Sequence, residues 1–124
     1  ATIVHKTAFV ADSAILEPGA FVMSNCYVGA QARIGQCSLM MANSLVGHNT
    51  TVGPLCHFSV GSITSSYITI GLCSDVTLGA KVIEKVKIGN FAVAGAGSLV
   101  TRDIPDYEIH VGTPARFMKR VRED

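Results

Sequence analysis

The sequence predicts an all-β fold, a parallel β-helix, from three repeating patterns. An apolar residue recurs every six positions from Val4 to Val100, and Thr64 is the single polar member of that series. A small residue nearly always follows each apolar one by four positions. Glycine recurs at every third hexad, at Gly35, Gly53, Gly71 and Gly89. An α-helix needs apolar spacing near 3.6 and one strand needs 2, so a sustained period of six indicates short strands and turns stacked along an axis.

Three such hexads make one coil of a triangular prism, and the glycines recur once in each coil. Residues 4–100 would then form about five and a half coils, and equivalent residues of successive coils would stack at roughly the 4.8 Å spacing of neighbouring strands. Each repeat is too small to bury a face alone, so stacked neighbours supply the core. The large apolar residues are predicted to point inward, and the recurrent glycine to relieve a tight bend at one corner.

The segment after the repeats is predicted to cap the prism. A chain of 124 residues is the size of one domain, and we assign residues 1–101 to the β-helix and residues 102–124 to a C-terminal loop and capping helix of the same domain. "TPARFMKRVRED" fits a short helix with Thr113 as N-cap, Pro114 in the first turn, and Phe117 and Val121 on one face. This helix would cover the last coil, whose free edge would otherwise invite pairing.

Composition argues against several partner classes. A formal net charge of +1 with 15% charged residues gives no electrostatic footprint for nucleic acid or a membrane surface. The sequence contains neither an apolar run long enough to span a membrane nor a secretory leader pattern. The four cysteines contain no CxxC pair, and Cys37 and Cys73 lie two coils apart, beyond disulfide reach. Free thiols are therefore expected, with Cys26 and Cys56 packed inside, together with a cytoplasmic location.

The hexads of the form [LIV]-G-x-x-[small]-x, together with the ending "GAGSLVTRDIPDYEIHVGTPARFMKR", closely resemble the hexapeptide-repeat acyltransferases. Within that superfamily the chain is similar, over essentially its whole length, to sugar O- and N-acetyltransferases of the sialic-acid and bacillosamine type. The resemblance implies a left-handed β-helix and a homotrimer with acetyl-CoA in the groove between subunits. Complete relatives carry an N-terminal nucleotide-binding domain, so this sequence is either a stand-alone short form or a chain without that domain.

The resemblance also assigns roles to two histidines. In the family motif "xVxHxxxIGxxxHI" the first histidine is catalytic and the second contacts the coenzyme, and "LVGHNTTVGPLCHF" places His48 and His57 in those positions. Neutral imidazole suits removal of a proton from an attacking amine or hydroxyl near pH 7. Ser66, one coil above His48, occupies the family's glycine position whose backbone N–H stabilises the oxyanion. Asn49 replaces the usual Asp or Glu, and an amide oxygen can orient the imidazole without adding charge.

The two histidines are half a coil apart, so one chain does not easily bring them into one small site. In a threefold trimer, His48 of one subunit would face His57 of its neighbour across a groove, as the resemblance implies. His5 and His110 match no catalytic position and are expected to be solvated surface residues.

The resemblance implies that the coenzyme lies along the groove with its adenine end toward the C-terminal coils. Small residues let a ligand approach the backbone closely, which suggests Gly79, Gly95 and Ala96. Arg116 in "GTPAR" is the candidate for a phosphate contact. Half of the ten Lys and Arg residues fall in the C-terminal segment that follows the repeats: Arg102, Arg116, Lys119, Arg120 and Arg122.

The function predicted is acetyl-CoA-dependent transfer to an amine or hydroxyl of a sugar or nucleotide sugar, with no metal required. Two alternatives stand beside it. A noncatalytic solenoid that binds a partner or assembles would account for Asn49 and for the unusual "SITSSY" stretch. A zinc hydratase needs three converging histidines, two of them close together in sequence, whereas the closest pair here, His48 and His57, is half a coil apart. The sequence does not identify the acceptor, nor distinguish O- from N-acetylation.

Overall fold

The computed structural model describes residues 1–121, which form a parallel β-solenoid of about 6 coils. Seventeen two-residue strands are distributed over three sheets that form the faces of the prism. Sheet 1 contains β1 (Ile3–Val4), β4 (Phe21–Val22), β7 (Leu39–Met40), β10 (His57–Phe58), β13 (Asp75–Val76) and β16 (Val93–Ala94). Sheet 2 contains β2 (Phe9–Val10), β5 (Tyr27–Val28), β8 (Leu45–Val46), β11 (Ile63–Thr64), β14 (Lys81–Val82) and β17 (Leu99–Val100). Sheet 3 contains β3 (Ile15–Leu16), β6 (Arg33–Ile34), β9 (Thr51–Val52), β12 (Thr69–Ile70) and β15 (Lys87–Ile88).

The register of these strands confirms the predicted coil of three hexads. His57 pairs with Asp75 in sheet 1 and Ile63 pairs with Lys81 in sheet 2, so each strand residue meets its equivalent in the next coil. Three corners join the sheets: the first corner leads from sheet 1 to sheet 2 (for example residues 41–44), the second from sheet 2 to sheet 3 (47–50), and the third from sheet 3 to sheet 1 (53–56).

The core follows the predicted alternation, because the second residue of each strand points inward and the first outward. The inward residues from Val22 to Val100 are buried, whereas Val4 in the open first coil is 41% exposed. The small residues, including Cys26 and Cys56, also lie inside, and all four cysteines are free thiols. Burial raises the pKa of the Cys56 thiol to about 11. The structure therefore confirms the interior assigned from the hexads.

The glycines that recur at every third hexad serve close packing and not the bend that we predicted for them. A Cβ on Gly35 would overlap the carbonyl group of Gly53, and one on Gly53 would lie 2.9 Å from the carbonyl carbon of Gly71. None of these glycines has a positive φ angle; the left-handed residue comes two positions later, for example Leu55 with φ 58°. Glycine is needed because the stacked backbones leave no room for a side chain.

The C-terminal segment is a β-hairpin, so the predicted capping helix is wrong over residues 113–121. Strand β18 (Glu108–Gly112) continues sheet 1 by pairing in parallel with β16, and β19 (Ala115–Arg120) pairs antiparallel with β18. The Gly95 N–H, for instance, donates to the His110 carbonyl at 2.8 Å. An isolated helix this short is marginal, whereas a strand satisfies the open sheet edge directly. Residues 122–124, the end of the predicted helix, lie outside the described residues.

The hairpin also overturns the prediction for His110. This side chain is 6% exposed, its Nε2 atom lies 2.9 Å from Glu108 Oε1, and its ring meets Phe117 edge-on with centroids 6.1 Å apart. His5 is exposed, as expected. Across residues 1–121 we find no helix of the length and apolarity needed to cross a membrane.

Candidate active site

His48 lies at the second corner, two residues after the end of β8, with its side chain exposed. Because Leu45 pairs with Ile63 across β8 and β11, the residues that follow also stack on successive coils. The Tyr67 N–H donates to the His48 carbonyl at 3.1 Å, and Ser66 therefore lies above His48, as predicted. A Cβ on Gly47 would lie 2.6 Å from the Ser65 carbonyl oxygen and 2.7 Å from Ser66 Oγ, so the glycine before His48 makes room for the coil above.

A chain of side-chain hydrogen bonds holds the His48 imidazole. Asn49 Nδ2 donates to Gln31 Oε1 at 3.0 Å, and Asn49 Oδ1 lies 3.0 Å from His48 Nδ1. Because this oxygen can only accept, Nδ1 is the donor, and in the neutral ring the lone pair is then on Nε2. The arrangement can therefore present an imidazole base through Nε2 from the corner of the prism.

Tyr67 packs against the same ring. The two rings meet edge to face, with centroids 5.2 Å apart and an interplanar angle of 86°. Tyr67 is 54% exposed and has φ 58°, a left-handed conformation that is costly for a bulky residue. Leu55 and Phe91 at the third corner share this conformation, so the repeat imposes it, and the contact with the His48 ring is what distinguishes Tyr67.

Sequence reasoning missed Gln31 and gave Tyr67 no individual role. Gln31 is equivalent to Asn49 one coil below, and Tyr67 is equivalent to it one coil above; we call such a stack of equivalent residues a column. The period of 18 residues could therefore have found both.

The Ser66 backbone N–H donates to no group among residues 1–121. The same is true of the N–H groups of Ala30 and His48, which occupy the same column. An unengaged N–H beside a base can donate to an oxyanion, which is the role that the sequence assigned to Ser66.

His57 lies on a different face. It projects from β10 on sheet 1, and its Nδ1 atom is 3.9 Å from Asp75 Oδ1. Burial raises the pKa of the Asp75 carboxyl, and His57 partly opposes that rise. Within one chain His48 and His57 do not converge, and the described surface contains no pocket that joins them.

The predicted coenzyme residues differ in accessibility. Gly79, with φ 65°, and Ala96 lie on the first corner, and a Cβ on Gly79 would meet nothing within 4 Å. Gly95 is buried, and a Cβ there would overlap the Val111 side chain, so hairpin packing explains this glycine. Arg116 is exposed on β19 and donates from Nη1 to the Ala115 carbonyl at 2.9 Å.

No set of three or more His, Cys, Asp or Glu side chains within residues 1–121 is grouped so that it could hold a metal ion.

Comparison with solved structures finds a very similar solenoid in sugar acetyltransferases. A variant of perosamine N-acetyltransferase from Caulobacter crescentus, in complex with CoA and GDP-perosamine, has a TM-score of 0.93 and 30% identity over 95% of this chain and 56% of that chain. The acetyltransferase domain of PglB from Neisseria gonorrhoeae, in complex with acetyl coenzyme A, has a TM-score of 0.93 and 29% identity over 94% of this chain and 57% of that chain. These neighbours are acetyltransferases, and both structures contain the coenzyme.

Curated proteins support the same class over shorter stretches. The chain is 63% identical over 30 residues to dTDP-3-amino-3,6-dideoxy-alpha-D-galactopyranose 3-N-acetyltransferase from Aneurinibacillus thermoaerophilus, which is 24% of this chain and 16% of that protein. It is 47% identical over 51 residues to galactoside O-acetyltransferase from Lactococcus lactis, which is 40% of this chain and 25% of that protein. No family model matches the chain. The chain thus resembles sugar acetyltransferases while spanning a quarter or less of these curated relatives and 56–57% of the solved structures.

Proposed function

We propose that this protein is an acetyl-CoA-dependent acetyltransferase that modifies an amine or hydroxyl of a sugar or nucleotide sugar, with His48 as general base. The observation that carries the proposal is the His48 ring, whose Nδ1 is bound to Asn49 while Nε2 remains available beside the unengaged Ser66 N–H. The coenzyme and sugar nucleotide bound to the solved neighbours supply the substrate class.

In the proposed reaction His48 Nε2 removes the proton from the acceptor N–H or O–H as that atom attacks the thioester carbonyl. A new C–N or C–O bond forms, and the carbonyl oxygen becomes an oxyanion to which the Ser66 N–H donates. The C–S bond then breaks, and the imidazolium returns the proton to the departing thiolate. Asn49 holds the ring in the tautomer that this sequence requires.

We propose further that the active unit is a homotrimer of left-handed solenoids, with the coenzyme between two copies. His48 and His57 occupy different faces of one chain, so a second copy would bring them to one groove. The outward residues of sheets 1 and 2 are mostly apolar and would favour association, as with Phe9, Tyr27, Leu45, Phe21 and Leu39. Sheet 3 is more polar and presents Arg33, Thr51, Thr69 and Lys87. Light scattering should then give about three times the mass of a single 13.0 kDa chain.

We propose His57, Gly79, Ala96 and Arg116 as coenzyme contacts because all four are accessible, whereas the predicted contact Gly95 is buried against Val111. Four unpaired thiols suit a reducing compartment, so we propose a cytoplasmic location.

The decisive experiment combines a thermal shift with acetyl-CoA and an assay of CoA thiol release over a panel of amino sugars and sugar nucleotides. We expect coenzyme-dependent stabilisation and turnover with at least one acceptor. His48→Ala should keep the coenzyme shift and lose about 10²- to 10⁴-fold in kcat, roughly 3 to 5 kcal/mol of barrier. His5→Ala, another exposed histidine, is the control. Absence of both coenzyme binding and thiol release would favour a noncatalytic solenoid.

A further inference from the structure

We infer that Gln31 is a positioning residue that selects the tautomer of His48 by orienting the Asn49 amide. The inference deepens the proposed function, because the tautomer matters to activity only if His48 is the base.

The backbone brings Gln31 and Asn49 side by side. Both residues are left-handed at the second corner, with φ 59° and 56°, on successive coils. The Asn49 N–H donates to the Ala30 carbonyl at 2.9 Å, and the Gln31 N–H donates to Ser13 Oγ at 3.0 Å. These bonds hold the two side chains in register, so a 3.0 Å amide–amide hydrogen bond forms between them.

An asparagine amide has one end that donates and one that accepts. When Gln31 Oε1 accepts from Asn49 Nδ2, Asn49 Oδ1 faces His48 Nδ1, which must then donate. If the Asn49 amide were reversed, its NH₂ group would face Nδ1, and the ring proton would move to Nε2. The proposed base would then carry a proton and could not accept one from the acceptor.

Glutamine can present either end of its own amide to Asn49. Replacing Gln31 with a side chain that only accepts, or with one that only donates, therefore favours one of the two orientations of the Asn49 amide. Gln31→Glu retains the acceptor and favours the orientation seen here. Gln31→Lys offers only a donor, which would bind Asn49 Oδ1 and turn the amide around. Gln36→Lys is the matched control, because Gln36 is also exposed but lies on the third corner.

The test measures the ¹⁵N chemical shifts of the His48 ring at a pH where the imidazole is neutral. The signals are assigned by their loss in His48→Ala. Gln31→Glu and Gln36→Lys should keep the proton on Nδ1, as in the unmodified protein, and Gln31→Lys should move it to Nε2. Turnover should fall at least about 10-fold in Gln31→Lys with coenzyme binding unchanged, since a base held in the wrong tautomer loses most of its effect. Thermal unfolding of the two lysine variants checks that both are folded.

Identical ring shifts in Gln31→Glu and Gln31→Lys would overturn the inference, whatever the activity. A tautomer that follows residue 31 while His48→Ala retains full turnover would instead leave the inference intact and refute the proposed function.

Discussion

The first and second corners of the prism share one backbone geometry and differ in their side chains. Asn43 at the first corner and Asn49 at the second have φ angles of 62° and 56°. Each donates its backbone N–H to a carbonyl one coil below, Ser24 at 3.0 Å and Ala30 at 2.9 Å. Left-handed positions at the first corner are occupied by Asn25, Asn43, Gly61, Gly79 and Gly97, and at the second by Gln31, Asn49, Tyr67 and Lys85.

The two corners therefore have the same turn but place different kinds of side chain on it. Asparagine and glycine adopt left-handed angles at low cost, whereas other residues lose about 1–2 kcal/mol there. The Asn43 side chain makes no hydrogen bond within residues 1–121, while that of Asn49 links Gln31 to His48. The comparison teaches that the repeat specifies the corner backbone, and that side chains at a few corner positions distinguish one corner from another.

The largest effect should come from mixing two variants that each lack one of the two histidines. If each site uses His48 from one copy and His57 from the next, neither His48→Ala nor His57→Ala homotrimers contain an intact site. Mixed trimers reassembled from equal amounts would have about a quarter of their interfaces intact, and therefore about a quarter of the unmodified rate. The assay should use a low coenzyme concentration, because the weaker coenzyme binding expected of His57→Ala lowers the rate most under that condition. A mixture no more active than its components would place the two histidines in separate functions.

The core beneath the second corner should be stabilised by removing a buried hydroxyl. Thr64 is fully buried between Val46 and Val82, and its Oγ1 has no hydrogen-bond partner. Thr64→Val should raise the free energy of unfolding by about 1–2 kcal/mol, because an unsatisfied polar group is replaced by a methyl. Chemical denaturation measures this change, and Thr51→Val, at an exposed strand position, is the control. An equal gain in both variants would contradict the explanation by burial.

A carboxylate placed beside the imidazole at the second corner should change the pH dependence of the reaction, whereas the same change at the first corner should not. In Asn49→Asp the negative charge stabilises the protonated ring, so the base is stronger and the acid limb of the kcat/KM profile moves to higher pH. We expect about a two- to tenfold higher rate on the alkaline plateau. Asn43→Asp makes the same change at the first corner and should leave the profile unaltered. Matching shifts in both variants would indicate a long-range charge effect.

The smallest effect should come from giving the second corner a residue typical of the first. Tyr67→Gly removes a left-handed tyrosine, and Gly61 shows that glycine suits this position. Relief of about 1–2 kcal/mol is partly offset by about 0.5–1 kcal/mol of glycine backbone entropy, so the variant should be slightly more stable. Turnover should fall because the His48 ring loses its edge-to-face neighbour. Tyr67→Phe keeps the ring and should retain the rate, and loss of the rate there would point to the phenol hydroxyl.

The sequence was a good guide where a feature is local to one repeat. Spacing alone placed Val46, Cys56 and Phe58 inside and Ser66 above His48. It was a poor guide at the end of the chain, where "TPARFMKR" has the local signals of a helix and His110 resembles a surface residue. These errors have one cause, since the outcome depended on an open sheet edge that only the stacked coils create.

The sequence by itself determined the length of each coil, the inward residues and the columns, because a period of six with small residues can bury its apolar side chains in few other ways. The tertiary structure alone decided that residues 108–120 form a hairpin and that Gln31, Asn49 and His48 form one hydrogen-bonded chain. Side-chain orientation at a corner depends on the coils above and below it, and no single repeat contains that information.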